Sequence, residues 1–405
     1  MFEITAGRVL LAFFLVADTI FGVASIVSLP LFLNSVELRN GNDSYNSSHV
    51  HKDKTLDAYF TNVYTTIFST LIFAFGTLVS AFFPGQITRK REFGYHHRAF
   101  WIVAGLSAVS CVIVISASSG SRTPAYLQPV MLNFTLPITV LARFLLLGKT
   151  PTKFKGMCVL GILVGLFVTI IPQLIPSLND SSEDKITESG YMVILWSFLF
   201  ALGSLPNALV TVFNEKYLEI KDDHSEGSVN IFYYNTLTGM YQLVFLALLF
   251  WTDIIPGYGY AANIHDFLKN MKFGFQCVFG GSTCSSDTLY RGLIYVISLS
   301  LFNVFNCYVN RYTEGANIVV ILQGLQTPLA FIFWTIFREN PFEFYFHPTF
   351  VTLFAILGLL ILIPFSIAYN LQDERRPPLP SMRDKSFREE PDYVSLNHKI
   401  TIQNL

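Results

Sequence analysis

Charged residues are few for a chain of this length, and their two signs nearly balance. Asp, Glu, Lys and Arg make up 14% of the 405 residues, and the formal net charge at pH 7 is -1. A protein that binds nucleic acid needs a basic face to neutralise phosphates, which this composition does not supply. The sequence therefore predicts no nucleic-acid partner.

Histidine and cysteine are also scarce, with eight and five residues. All the histidines fall in predicted loops or in the C-terminal tail, so no Ser-His pair and no histidine metal site is expected inside the membrane. A Gly-rich phosphate loop of the Walker type does not occur in the sequence either. We therefore predict a protein that is not an enzyme, with no metal ion and no cofactor.

Apolar runs dominate the rest of the chain, of which 52% is hydrophobic. A helix needs about 20 apolar residues to cross a hydrocarbon layer of about 30 Å. We predict an all-α polytopic membrane protein in contact with the lipid bilayer, whose first span is retained as an anchor and not cleaved as a signal peptide. Its spans, about ten in number, are expected at roughly 5–33, 58–83, 99–119, 123–147, 155–175, 190–213, 229–252, 290–311, 316–337 and 348–370.

Two of these spans share a pattern that predicts an internal repeat. Placing Pro137 opposite Pro328 brings Thr135 onto Gln326, and each proline interrupts an apolar helix. The alternative is a chance likeness between apolar helices. Related halves that meet at Pro-broken helices favour a secondary transporter with its site between the halves and the prolines as hinges. The predicted division is 1–175 for the first half, 176–371 for the second with a long lumenal loop at 253–289, and 372–405 for a disordered cytosolic tail.

Charge and glycosylation signals agree on the orientation of the spans. Basic residues follow the second and fourth spans, which favours cytosolic termini. The glycosylation acceptors Asn42, Asn46 and Asn179 lie in loops of the opposite side. That side also holds Cys277 and Cys284, which flank a short glycine-bearing turn, and we expect a disulfide between them. The segment 265–277 before this turn has the spacing of an amphipathic helix at the membrane surface.

The polar tail contains one short candidate motif. Tyr393-Val394-Ser395-Leu396 is a tetrapeptide of the kind that endolysosomal sorting adaptors bind in extended form. So short a motif also arises by chance. If it is used, its binding residues are Tyr393 and Leu396.

Polar side chains recur at helical spacing on most of the predicted spans. Such a stripe can hold helices together, but stripes on most spans exceed what packing needs and favour a water-filled cavity. The candidate substrate-binding residues are Gln323, Gln326, Thr327, Asn303, Asn306, Thr135, Asn133, Gln128, Asn235, Gln242 and Asn207.

Asp18 and Arg143 are ionisable residues inside apolar spans. Asp18 lies midway along the first span, on one face with Gly22 and Ser25. It is a candidate to bind a proton or to attract a cationic substrate, and the alternative is an acid satisfied by a neighbouring amide without a transport role. Arg143 lies near the end of its span, where its side chain can reach the interface, so we assign it a structural role.

Three short motifs carry a likeness to a known family: Phe273-Gly274-Phe275-Gln276-Cys277, Phe302-Asn303 and Leu322-Gln323-Gly324. Over most of its length the chain resembles the chloroquine-resistance-transporter-like family of the drug/metabolite transporter superfamily. The resemblance implies two inverted five-helix repeats with cytosolic termini, in the membrane of an acidic vacuole, lysosome or plastid. It also implies proton-driven export of amino acids, short peptides, thiols or cationic drugs. The chain departs from the pattern in its two lumenal cysteines, where parasite members have four, and in its very short N-terminal extension.

We accordingly predict a proton-coupled secondary active transporter, with Asp18 as the coupling site, that moves small organic solutes out of a vacuole- or lysosome-like compartment. Such export would contribute to nutrient release and osmotic balance. A nucleotide-sugar carrier of the same superfamily is an alternative, but it needs basic residues in mid-membrane to hold phosphates, and we find none there. A non-transporting membrane scaffold or sensor whose tail recruits partners is the second alternative.

Overall fold

Helices form nearly all of the structure. The computed structural model describes residues 2–35, 56–83, 97–119, 122–125, 127–147, 152–174, 190–218, 229–280, 287–312, 316–338, 343–344 and 350–371. The helices are α1 (Phe2–Leu33), α2 (Ala58–Ala81), α3 (His97–Ser118), α4 (Leu127–Leu132), α5 (Thr135–Leu147), α6 (Lys153–Leu174), α7 (Gly190–Leu218), α8 (Ile231–Leu248), α9 (Ile264–Val278), α10 (Asp287–Tyr312), α11 (Ala316–Ile336) and α12 (Phe350–Leu371). A 3-10 helix over Phe250–Ile254 follows α8, and the two-residue strands β1 (Phe337–Arg338) and β2 (Glu343–Phe344) pair antiparallel after α11.

Among the described residues, seven helical stretches are long and apolar enough to cross a membrane. They are Val9–Leu33, Ala58–Ala81, His97–Ser118, Leu127–Leu146, Tyr191–Lys216, Asp287–Tyr312 and Thr352–Tyr369. The chain is thus a multi-pass helical membrane protein. The other three predicted spans coincide with α6, α8 and α11, and the total of ten spans stays a prediction.

The outer face of α1 shows how a lipid-facing surface is built. Val9, Phe13, Val16 and Ile20 follow one another at intervals of three or four residues, and each is more than half exposed. Side chains at this spacing lie on one face of a helix. Asp18 points the other way and is fully buried. The apolar stripe therefore faces lipid, and the polar face of α1 turns into the bundle.

Polar caps determine where α2 and α8 begin. Asp57 Oδ1 accepts hydrogen bonds from the backbone N–H of Tyr59 at 2.7 Å and of Phe60 at 3.3 Å. Asn230 plays the same part at the start of α8, accepting from Phe232 N at 2.9 Å. Such caps satisfy backbone donors that the helix itself leaves unpaired.

The fourth predicted span is interrupted by a turn. α4 ends at Leu132 and α5 begins at Thr135. Asn133 N donates to Val130 O at 3.1 Å, which is the tighter bonding pattern of a 3-10 turn. Pro137 lies in the first turn of α5, where a missing N–H is tolerated. The interruption therefore precedes the proline, whereas Pro328 lies inside the continuous helix α11.

The amphipathic segment before Cys277 is helical, as predicted, and forms α9. Its exposed face carries Ile264 and Leu268, while Gly274 and Cys277 face the core. Gly274 allows α9 to lie directly on α2, because a Cβ at this position would press into the ring of Phe60. The pentapeptide that carries the family likeness is therefore a packing element of α9.

Helices from the two predicted halves pack mainly against each other. α1 packs against α10 and α11, α2 against α8, α3 against α7 and α8, and α5 against α7. The centre of the bundle is therefore the region between the predicted halves. The division at residue 175 and the inverted relation of the halves stay predictions.

Candidate functional site

Asp18 lies where α1, α10 and α11 meet. Gln326 Nε2 of α11 donates to Asp18 Oδ2 and to the Asp18 backbone O, both at 3.3 Å. The other carboxyl oxygen, Oδ1, has no hydrogen-bond partner of normal geometry among the described residues, although Asn306 of α10 lies beside the carboxyl group. An acid of this kind in the membrane interior is costly unless it is satisfied or functional.

Gly22 lies one turn beyond Asp18 and makes room for the same glutamine. A Cβ added at Gly22 would collide with the Gln326 side chain. Small residues let membrane helices approach closely. The absence of a side chain at residue 22 is therefore a condition for the contact between Gln326 and Asp18.

The next residue of α11 makes the contact with the interrupted helix. Asn133 Nδ2 donates to Thr327 Oγ1 at 2.8 Å, and Thr327 Oγ1 in turn donates to Pro129 O at 3.1 Å. Both side chains are buried. The consecutive residues Gln326 and Thr327 thus join α11 to α1 and to the turn between α4 and α5.

Two further amides contact free thiols across helices. Asn235 of α8 lies 3.7 Å from Cys307 Sγ of α10, and Gln242 Nε2 donates to Cys111 Sγ of α3 at 3.6 Å. Cys111 and Cys307 are not in disulfides. These contacts are long and weak, and Asn235 Nδ2 also donates to Ile231 O of its own helix at 2.9 Å.

The predicted substrate-binding residues divide into two groups by exposure. One group is buried: Gln128, Asn133, Thr135, Gln326 and Thr327. The other is half-buried: Asn207, Asn235, Gln242, Asn303, Asn306 and Gln323. Gln128 Nε2 donates to Thr123 O at 3.0 Å and so stabilises the segment that connects α3 to α4. The half-buried group lies on α7, α8, α10 and α11.

The polar stripe on α2 is a packing feature. Thr65 and Thr66 are buried and donate to carbonyl oxygens of their own helix, at 2.6 and 2.8 Å. Ser69 Oγ accepts from Ser300 Oγ of α10 at 3.0 Å. Hydrogen bonds within α2 and to α10 therefore satisfy these three hydroxyl groups.

A buried ion pair between α5 and α7 did not emerge from the sequence. Arg143 donates from Nε to Glu215 Oε2 at 2.9 Å and from Nη2 to Oε1 at 2.7 Å, and the two side chains are only 10% and 2% exposed. The predicted reach of Arg143 to the interface is therefore wrong, although its structural role stands. Glu215 lies just beyond the predicted end of its span. The sequence could have indicated the pair, because a buried arginine needs a counter-ion.

Six other residues of the predicted sites lie outside the described residues. These are Asn42, Asn46, Asn179, Cys284, Tyr393 and Leu396. Cys277 is buried in α9, and its disulfide with Cys284 stays a prediction. Within the described ranges, no group of three or more His, Cys, Asp or Glu residues is arranged to hold a metal ion.

Apolar outer faces and polar contacts between inner faces define a multi-pass helical membrane protein. The family model for CRT-like, chloroquine-resistance transporter-like, proteins matches residues 52–363. The chain belongs to this family of membrane transporters, which confirms the resemblance seen in the sequence. The match includes α2 to α11 and leaves Asp18 outside.

Two relatives come from Dictyostelium discoideum. Crt homolog 1 is 22% identical over 307 residues, which is 69% of this chain and 61% of that protein. Crt homolog 3 is 22% identical over 317 residues, which is 70% of this chain and 60% of that protein. The similarity therefore extends over about three fifths of the length of each relative.

Proposed function

We propose that the protein is a proton-coupled secondary active transporter that moves small organic solutes out of an acidic compartment. Amino acids, short peptides, thiols and cationic drugs are the proposed solutes, and nutrient release and osmotic balance are the proposed roles. Membership of a transporter family supports the general activity. The observation that carries the coupling proposal is the contact of Asp18 with Gln326 and Asn306 at the junction of three helices.

The chemistry of this contact links charge to helix packing. When Asp18 is ionised, the amide of Gln326 stabilises its charge as a hydrogen-bond donor. When Asp18 is protonated, the acid gains a donor of its own, and its neighbouring amides can accept from it. Proton binding therefore changes which contacts hold α1 against α10 and α11.

Alternating access would use the contacts between the two proposed halves. The fold would be ten spans in two inverted repeats, with both termini in the cytosol, and the pairing of α1 with α10, α2 with α8 and α3 with α7 supports it. The turn before Pro137 and the position of Pro328 within α11 would be the flexible points. The half-buried amides of α7, α8, α10 and α11 would contact the solute.

Location and processing are proposed from the sequence motifs. A vacuolar or endolysosomal membrane fits the family resemblance, with Tyr393 and Leu396 as the adaptor-binding residues of the tail. Glycans on Asn42, Asn46 and Asn179 and the disulfide of Cys277 with Cys284 would lie on the lumenal side. The nucleotide-sugar alternative gains no support from Arg143, whose guanidinium is held in two hydrogen bonds by Glu215.

Uptake into proteoliposomes under an imposed pH gradient tests this proposal. The solutes are labelled arginine, a short peptide and glutathione, and the proteins are wild type, Asp18→Asn and Gln326→Ala. Asp287→Asn is the matched control, because Asp287 is an exposed acid at the start of α10. We expect gradient-driven flux in wild type and control, its loss in Asp18→Asn and its reduction in Gln326→Ala.

Other outcomes would contradict specific parts of the proposal. Undiminished coupled flux in Asp18→Asn would remove Asp18 as the coupling site. Folded wild-type protein that moves none of the three solutes would count against the proposed substrate classes. If it also performs a cellular role that survives Gln326→Ala but not deletion of Tyr393 to Leu396, the scaffold alternative would replace transport.

A further inference from the structure

Two buried carboxyl groups meet at the end of the bundle where α2 begins and α8 ends. Asp57 is the cap of α2, and Asp253 lies in the 3-10 helix that follows α8. Their exposed fractions are 8% and 4%. The two side chains are in direct electrostatic and hydrogen-bonding range of each other.

Each carboxyl group uses one oxygen for backbone donors and leaves the other without a partner. Asp57 Oδ1 accepts from Tyr59 N and Phe60 N, and Asp253 Oδ1 accepts from Tyr260 N at 3.0 Å. The two Oδ2 atoms are buried and have no hydrogen-bond partner among the described residues. Two ionised oxygens in this position repel each other, whereas a single proton between the groups supplies the missing donor.

The charges around the two carboxyl groups also favour a single proton bound between them. Arg122 acts on Asp253 and is itself buried. Its guanidinium donates from Nη1 to Ser116 O at 2.9 Å, and it stacks over Trp196 at 4.1 Å and Tyr260 at 4.7 Å from the ring centroids. One cation balances one carboxylate. The second carboxyl group is therefore best accommodated as the neutral acid.

Neighbouring elements contribute other titratable groups. Tyr59 of α2 and Tyr258 of the segment after α8 interact electrostatically with the pair, and their hydroxyls donate to Leu246 O and Val112 O. α9 packs here through Phe267 against the ring of Tyr59. α9 also carries the titratable residues His265, Asp266, Lys269 and Lys272.

We propose that Asp57 and Asp253 together bind one proton, and that this proton-binding site, separate from Asp18, fastens the start of α2 to the segment after α8. Burial, followed by the adjacent Asp253 carboxylate, raises the pKa of Asp57 to about 7, and burial raises the pKa of Asp253. The shared proton is therefore held in acid and released near neutral pH. Under the orientation proposed above, the site faces the acidic compartment and senses its pH.

Infrared titration of the full-length protein in lipid nanodiscs tests the site without measuring transport. A protonated carboxylic acid has a C=O stretch that is distinct from carboxylate bands. All proteins in this titration carry Asp18→Asn, because a proton on Asp18 would give a band of its own. In this background the otherwise wild-type protein should show such a band at about pH 6 and lose it by about pH 8. Both Asp57→Asn and Asp253→Asn should lack this band, while Asp287→Asn retains it.

Asparagine suits the test because it keeps Oδ1 for the backbone contacts and offers an N–H in place of the shared proton. The two variants are independent, so one remains if the other does not fold. A pH-dependent band that persists in a folded variant would overturn the proposal. An otherwise wild-type protein in the Asp18→Asn background whose spectrum is identical to that of the variants at every pH from about 5 to about 8 would also overturn it. Neither result bears on solute flux, so failure here is distinct from failure of the transport proposal.

Discussion

The missing side chain of Gly22 determines whether Gln326 can reach Asp18. A methyl group at residue 22 has to displace the amide end of Gln326 from Asp18, and leaving a buried group without such a hydrogen bond costs about 1–3 kcal/mol. We expect Gly22→Ala to lower the free energy of unfolding by that amount and to reduce coupled flux. Thermal unfolding in nanodiscs and proteoliposome uptake measure the two effects.

Gly156 provides the matched control for this substitution. It is also a helical glycine, but a Cβ there meets no atom within 4 Å. Gly156→Ala should therefore unfold like wild type or slightly later, because alanine is the better helix former. If Gly22→Ala and Gly156→Ala have equal free energies of unfolding, the close approach at Gly22 does not contribute to stability.

Among the helices, α5 and α7 are joined by the ion pair of Arg143 with Glu215. Removing one partner leaves a buried uncompensated charge, which costs about 3–5 kcal/mol. We expect Glu215→Gln to destabilise the protein by an amount of this order. The double substitution Arg143→Met with Glu215→Gln should recover much of the loss of either single substitution, because it buries no charge. A double-mutant cycle of unfolding midpoints checks this, and additive losses would contradict it.

Helix bounds follow from the sequence, because apolar runs and caps are local features. The first span was predicted to end at residue 33 and the second to begin at residue 58, and α1 and α2 do so. The interruption at Asn133 was not located, since the proline pattern placed it at Pro137. The turn is formed by i→i−3 hydrogen bonds, and no single residue in the sequence indicates them.

Contacts between helices could not be predicted in the same way. Helical spacing identifies the buried face of a span but not the helix that this face meets. The polar face of α1 was predicted around Asp18, yet its contact with Gln326 depends on the crossing of α1 and α11. Asp57 and Asp253 were missed because each resembles an ordinary helix-end or loop acid, and only the fold brings them together.

For the whole molecule, the pair of carboxyl groups predicts a pH dependence of stability. The pKa of Asp57 is raised from 3.8 to about 7 in the folded state, so between these values the folded protein holds a proton that the unfolded chain releases. The contribution of Asp57 to stability should therefore fall as pH rises from about 4 to about 7, by at most about 4 kcal/mol. Unfolding midpoints measured across this range check the sign.

Asp57→Asn should flatten this dependence, because the amide carries no titrating proton. Asp287→Asn is again the control and should keep the wild-type slope. An Asp57→Asn curve that falls with pH as steeply as the wild-type curve would contradict the direction of the shift. Any slope that remains in Asp57→Asn would come from other groups, so the difference between the two curves is the quantity to compare.

The separation of Asp18 and Gln326 along the chain has a consequence for biosynthesis. The two residues are 308 positions apart, and ribosomes add roughly 5–20 residues per second. Asp18 thus enters the translocon about 15–60 s before its amide partner exists. During that interval the first span carries an unsatisfied acid among lipids, helper proteins or water. A nascent chain that stalls before α11 would leave this acid without the amide of Gln326.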